Sequence, residues 1–539
     1  MSERVKSTAG NLAVQGGILA AASLIVRLIG FFYRIPLVRM LGTEGMGYYS
    51  SAFTVYSYLL VLSSYALPSA LSKIISKKIA LKRYKEAHQI FKAALFLGLL
   101  LGLVTSSILY FGAGTIASLI GNEGSAIGFK ALAPSMMLFT FLAVFRGYFQ
   151  GHNTMVPTAL SQIIEQIFNA AFSLGLAAIM LKESLQMGAA GGTLGTAFGV
   201  FAGLSMMLVI YYFYRPTIHK RLKLDQTSSA LPSVLTSWQI IYMTAIPMMI
   251  GSSIYNLSNM VDMVMFQRGL LYLGYKPEVV SNMYGLLESK YRLILTLPIS
   301  IASALAAASI PSITASMARK EVGMVKKKAT MAIKTVLMIS IPSAFGLGFM
   351  AKPILWMLFG TDNLETAALL MQIGAVSVIF FSISGISIGI LQGINKMYVP
   401  VRNAVIGVVV KIIGFALLIY VFDTGLVGAV AINVVFSMIV GSANFYSIQK
   451  EIKLNMNYKT AVILPLMAAG LMSGVALSVY WLMMLLSNHN TIATMVAIIF
   501  AGISYLLVLV KIGGLTEDDM KVLPMGTKLI GLARVLRLI

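Results

Sequence analysis

Fourteen apolar stretches run along the chain, each parted from the next by a short polar, Gly- or Pro-containing break. At 1.5 Å per residue, about twenty helical residues span the hydrocarbon of a bilayer. Lipid offers the backbone no hydrogen-bond partners, so such stretches must close their own bonds as helices. The expected fold is therefore an all-α polytopic membrane protein with fourteen transmembrane helices. Approximate limits are 15–41, 47–75, 90–111, 125–150, 156–181, 188–214, 240–270, 279–309, 329–350, 366–391, 399–422, 426–448, 460–486 and 491–511. A set of water-soluble domains is excluded, because charged residues make up 11% of the chain where soluble domains carry about 25%.

The sparse charge is lopsided, with 41 Lys+Arg against 18 Asp+Glu and a formal net charge of +23. Its distribution gives the orientation, since short loops rich in Lys and Arg stay in the cytoplasm. Alternate loops hold Lys73, Lys77, Lys78, Lys82, Arg83 and Lys85, then Arg215, Lys220, Arg221 and Lys223, then Arg319, Lys320, Lys326, Lys327 and Lys328, then Lys450, Lys453 and Lys459. The turns between them, such as 121–124 and 487–490, are short and nearly free of base. Both termini are expected in the cytoplasm. The first span carries Arg27 and no small-residue cleavage site, so it is expected to be retained. Residues 513–539 read as an amphipathic helix on the inner leaflet or as an ordinary basic tail. Nucleic acid is not an expected partner, because apolar runs separate the bases. The chain has no cysteine and four histidines without ligand spacing, so no metal site or other cofactor is expected.

Two segments recur at an offset of about 242 residues: QGHNTMVP at 150–157 with QGINKMYVP at 392–400, and LPSALSKIISKK from Leu67 with IPSITASMARK from Ile310. This duplication implies a six-helix lobe at 1–225, a related six-helix lobe at 226–458, helices 13 and 14 at 459–512, and the tail at 513–539. Both repeats begin on the same side, and two such bundles suit alternating access around a central cleft.

A charge at the bilayer centre costs at least about 2.5–3.5 kcal/mol, so each one there needs a reason. Arg27 and Arg34 stand nearly two turns apart on one face of the first span. They either line a wet cleft and bind an anion or pair with acids on other helices. Arg292 either pairs with Glu288 one turn before it or adds a third cation to the cleft. Three guanidiniums match the oxygens of a pyrophosphate. Glu165, Asp262 and Lys411 are expected as a structural pair, Asp262–Lys411 or Glu165–Lys411. The alternative is a Na⁺ or H⁺ coupling site with Asn259 or Asn169. Lys130 and Arg146 read as interfacial anchors or cavity entrances.

VRLIGFFYR at 26–34 resembles the first-helix motif of the MurJ lipid II flippases, and the segment from Tyr291 to Ser312 resembles their eighth helix. NMVD at 259–262 resembles their seventh-helix Asn-x-x-Asp. Over nearly its whole length the chain is similar to the Gram-positive MurJ/SpoVB-like branch of polysaccharide exporters in the multidrug/oligosaccharidyl-lipid/polysaccharide (MOP) superfamily. The resemblance implies transfer of lipid II, an undecaprenyl-pyrophosphate-linked peptidoglycan precursor, from the inner to the outer leaflet of a bacterial plasma membrane. It implies Arg27, Arg34 and Arg292 as cavity arginines and helices 13 and 14 as a groove for the polyprenyl tail; the protein is expected to be a monomer. Three positions depart from the pattern: Ile35 stands where an acid is usual, no arginine lies between Gly47 and Ser72, and Lys411 occupies the place of a sodium-ligand Asn. An ammonium there repels Na⁺ and favours protons or membrane potential as the driving force.

Teichoic-acid or capsule units on the same carrier are the alternative cargo, and a cation-coupled multidrug antiporter is the alternative activity. An enzyme is not expected, since no outward loop is long enough to hold a catalytic domain.

Overall fold

The computed structural model describes residues 2–225 and 231–516. Helices make up 89% of it, and the described residues contain no strand. The expected inner-leaflet helix lies outside the described residues.

The chain divides into two units, Met1–Ser289 and Lys290–Ile539. The first contains α1 (Ser2–Leu60), α2 (Leu67–Ala80), α3 (Tyr84–Phe111), α4 (Ala113–Ile120), α5 (Ala126–Gly151), α6 (Val156–Met180), α7 (Leu185–Lys223), α8 (Val234–Tyr272) and α9 (Pro277–Leu286). The second contains α10 (Leu293–Ala318), α11 (Val322–Phe349), α12 (Ala351–Phe359), α13 (Leu364–Gly374), α14 (Ser377–Gly393), α15 (Tyr398–Phe415), α16 (Gly425–Ile452), α17 (Leu464–Ser487) and α18 (Asn490–Lys511).

Ten helices among the described residues are long and apolar enough to cross a membrane, or eleven if the Leu364–Gly374 and Ser377–Gly393 pair, bent by 48°, is one span. The sequence suggests fourteen. Part of the difference is that the first two expected spans fall in one apolar stretch, Gln15–Ala80. Within it α1 is broken at Gly42, with φ 62 and ψ −177, a conformation open to glycine and costly for residues with a Cβ, and a π-helical turn, Val61–Tyr65, separates α1 from α2. In the eighth expected span, Glu288, Lys290 and Arg292 sit in a π-helical turn, Leu287–Arg292, between α9 and α10.

Helices in lipid gain nothing from hiding apolar surface from lipid tails, so close backbone approach and polar contacts hold them together. The α6–α7 pair shows the first device. Gly191, Gly195, Gly199 and Gly203 recur every four residues and form one stripe on α7. A Cβ added at Gly191 would lie 2.6 Å from the Leu176 carbonyl oxygen, at Gly195 2.3 Å from the Ser173 amide, and at Gly199 2.6 Å from the Glu165 carbonyl oxygen. Only glycine lets α7 come this near to α6. Large apolar side chains such as Phe111, Tyr212 and Phe213 point outward, as lipid-facing residues do.

The units divide at Ser289, whereas the duplication puts its lobe boundary at 225/226. The reason is close contact of α9 with α1: a Cβ at Gly47 would lie 2.0 Å from the Ser281 carbonyl oxygen, and one at Gly285 1.7 Å from that of Thr43. Thr43 Oγ1 also donates to Asn282 Oδ1 at 3.0 Å. The sequence repeat and the packing unit are thus different divisions of the chain.

In the second unit, polar contacts carry much of the cohesion. Buried Asn403 Nδ2 donates to Asn444 Oδ1 at 2.9 Å, and Asn444 Nδ2 to Ser384 Oγ at 3.2 Å, joining α14, α15 and α16. The α17–α18 hairpin packs on α11 through Ala468, Ala469 and Met472, and Tyr505 donates to the Met338 carbonyl at 2.9 Å.

Candidate functional site

In the first unit a cavity of about 280 Å³ opens between α1, α5 and α6. Its polar lining is Ser23 and Arg27 from α1, Arg146 from α5, and Gln162, Glu165 and Gln166 from α6. Gly30 of α1 lies beside this cavity, where an added Cβ would stand 3.4 Å from Gln166 Nε2. The glycine stripe fixes the other wall, since Gly199 and Gly203 of α7 lie against Glu165 from behind.

Arg146 is 6% exposed and is held from two sides. Its Nη2 meets Glu165 Oε2 at 2.6 Å, and its Nε donates to Ser161 Oγ at 3.0 Å. Ser161 in turn donates to the Thr158 carbonyl at 2.9 Å, which leaves its lone pairs to the arginine. Glu165 is the more open partner, with 21% of its side chain exposed against 8% for Arg146. Gln162 Oε1 is buried and has no hydrogen-bond partner. Two guanidiniums against one carboxylate leave the lining with a surplus of one positive charge, beside amide groups that can meet hydroxyls.

Of the residues singled out from sequence, Arg27 therefore lines a cavity. Arg34 stands elsewhere on α1, its guanidinium 5.5 Å from the centre of the Phe53 ring. The buried hydroxyls of Tyr33 and Tyr49 meet 3.2 Å apart beside it, and the carboxylate of Glu288 attracts it. Arg292 closes the π-helical turn of the second unit and is half-buried. Glu288, the acid expected one turn before it, lies in the same π-helical turn.

The ion pair of Glu165 is with Arg146. Lys411 is 1% exposed, with its ammonium 4.3 Å over the Phe436 ring, a contact that attracts a cation through the ring quadrupole. Asp262 is buried on α8 and Asn259 is exposed. Asn169 turns its oxygen to Ser173 at 2.9 Å and Thr196 at 3.5 Å, tying α6 to α7. Lys130 is exposed, as an anchor would be, whereas Arg146 belongs to the cavity. Lys290 is a buried charge whose partner the sequence does not show: it bridges to Asp362 at 3.0 Å. The second unit has its own, mainly apolar cavity of about 410 Å³, walled by Phe345 and Phe349 of α11 with Val376 and Ile379.

A family model described as polysaccharide biosynthesis protein matches residues 13–317, and one described as MatE matches residues 291–417. The lipid II flippase MurJ of Bacillus subtilis (strain 168) is 26% identical over 440 residues, 79% of this chain and 80% of that protein. Stage V sporulation protein B of the same organism is 26% identical over 395 residues, 73% and 75% of the two chains. A solved structure of lipid II flippase MurJ in an inward closed conformation superposes with a TM-score of 0.66 at 17% identity, over 91% of this chain and 97% of that one. Fold and relatives together define a multi-pass plasma-membrane protein of bacteria, a flippase or transporter of the MOP superfamily. Within that class, the match over more than half of its length shows that the chain belongs to the polysaccharide biosynthesis protein family.

Proposed function

We propose that the protein flips lipid II, the undecaprenyl-pyrophosphate-linked peptidoglycan precursor, by alternating access. Arg27, Arg34 and Arg292 bind the pyrophosphate. Fourteen spans with both termini in the cytoplasm carry the cycle, and α17 and α18 hold the polyprenyl tail. The observation that carries this reading is Arg27 on a cavity wall inside an apolar helix, where a charge is retained only for a purpose. The similarity to MurJ supports it. A hydrophilic anionic head group cannot cross hydrocarbon unaided, but it can cross along a cationic cleft while its tail stays in lipid. Protons or membrane potential drive the step, and the protein performs no covalent chemistry.

Cells depleted of the protein should stop exposing lipid II on the outer face, as read with a membrane-impermeant probe. Re-expressed wild type should restore exposure, and Arg27→Ala, Arg34→Ala or Arg292→Ala should not, although each variant reaches the membrane. Full exposure with all three variants would refute the assignment of the arginines. Continued exposure in depleted cells, with teichoic-acid or capsule units failing to appear instead, would move the cargo to those units. The MatE match over 291–417 favours a second reading, a cation-coupled multidrug antiporter, which requires dye efflux dependent on Asp262.

A further inference from the structure

We propose that Arg146 is a further head-group ligand, and that Glu165 is its built-in competitor, holding the guanidinium until an anionic diphosphate displaces the carboxylate. The inference rests on the flippase reading and adds two residues of the first unit to it. Three observations carry it.

The first is the state of Arg146. An arginine has five N–H donors, and only two of those on Arg146 are engaged, one by Ser161 and one by Glu165. The side chain is nonetheless nine-tenths buried and borders a cavity that Arg27 also lines. A guanidinium meant only to neutralise Glu165 would gain from using its remaining donors on carbonyls or amides nearby. Here they stay available to a second acceptor.

The second is the asymmetry of the pair. Ser161 fixes Nε of Arg146 from the α6 backbone side, while Glu165 is the more exposed partner. Displacement therefore falls on the carboxylate, which can turn away with little rearrangement, while Ser161 keeps the arginine in place. A diphosphate offers more oxygens and more charge than a carboxylate and meets the planar fork of a guanidinium in two places. The third is Gln162, whose buried Oε1 has no protein donor and is suited to a hydroxyl of a sugar carried on the diphosphate.

A competitor inside the site weakens ground-state binding and so speeds release. Without Glu165 the head group would bind tightly and leave slowly; without Arg146 it would bind weakly. The two substitutions should thus move affinity in opposite directions, which a merely structural ion pair cannot do.

The test uses the full-length protein in lipid nanodiscs, titrated with undecaprenyl diphosphate and, separately, undecaprenyl monophosphate. Arg146→Gln should weaken diphosphate binding about tenfold, the order expected for one charged hydrogen bond, and Arg146→Lys should recover part of the loss. Glu165→Gln should tighten diphosphate binding by a similar factor and slow flipping. The monophosphate should respond less to each change. Binding is read on the monodisperse fraction with its Tm recorded, and Arg146→Lys and Glu165→Gln, which keep size and polarity, remain informative if Arg146→Gln does not fold. Diphosphate affinity unchanged in all variants, or lowered alike by Arg146→Gln and Glu165→Gln, would overturn the inference and leave the flippase reading standing. No diphosphate binding by the wild type would remove that reading and the inference with it.

Discussion

Arg34 and Arg146 keep a guanidinium inside an apolar helix in two different ways. Arg34 lies against the Phe53 ring beside two buried tyrosines, and such a contact contributes about 0.5–2 kcal/mol. Arg146 has a carboxylate and a hydroxyl. Sequence shows that Arg27, Arg34 and Arg292 are costly and need a reason, because each interrupts an apolar run. It does not show that Arg146 belongs with Arg27, because depth along a helix is legible in one dimension while the facing partner is not. The same holds for Glu165, whose ion pair depends on the register of α6 against α5. At the edge of the first unit, His152 caps α5 with Nδ1 2.9 Å from the Tyr148 carbonyl oxygen. Burial first, and the charge of Arg221 as well, push its pKa below the ordinary 6.5. Unfolding raises that pKa, so the contribution of His152 to stability is complete above about pH 6.5 and is lost as pH falls from there toward the lowered folded value. The Tm of the purified protein should therefore drop between pH 7.5 and 5, and His152→Gln should flatten that slope.

The elements owe their positions to residues that are nearly absent as side chains. Gly191, Gly195, Gly199 and Gly203 let α7 touch α6, and α6 carries Glu165, Gln162 and Gln166 into the cavity. The stripe is visible in the sequence as a four-residue period, but the wall it supports is not. Gly199→Val should destabilise the protein by about 1–3 kcal/mol, the usual cost of overpacking, and should disturb ligand binding because its Cβ would meet the Glu165 carbonyl. Gly175→Ala on α6, with nothing within 4 Å of the added Cβ, is the matched control and should leave Tm unchanged or slightly raised. Both are read from thermal melts in detergent. Helix class was legible throughout because the apolar runs are long. Where charges interrupt them, as in the π-helical turn Leu287–Arg292, hydropathy alone loses the element boundaries.

For the molecule as a whole, much of the surplus of +23 falls on helix ends and the turns beside them, as with Lys77 and Lys78 of α2 and Lys220, Arg221 and Lys223 of α7, and the expected orientation rests on it. The absence of cysteine makes that orientation directly measurable. Single cysteines at exposed His489 and Lys327 should differ, with His489→Cys labelled in intact cells by an impermeant maleimide and Lys327→Cys labelled only after permeabilisation. Labelling of Lys327→Cys in intact cells would reverse the topology. Two repeated segments suggest a duplication with a boundary at 225/226, whereas the packing boundary at Ser289 was not legible, since it depends on Gly47 and Gly285 admitting α9 to α1. The Arg146–Glu165 bridge also bears on biosynthesis. Its two charges stand on successive helices joined by a turn of a few residues, so they leave the ribosome close together in time. Each alone would burden membrane insertion by about 2.5–3.5 kcal/mol. Entering as a hairpin, the helices can neutralise both charges at the translocon before α7 and the helices after it are made.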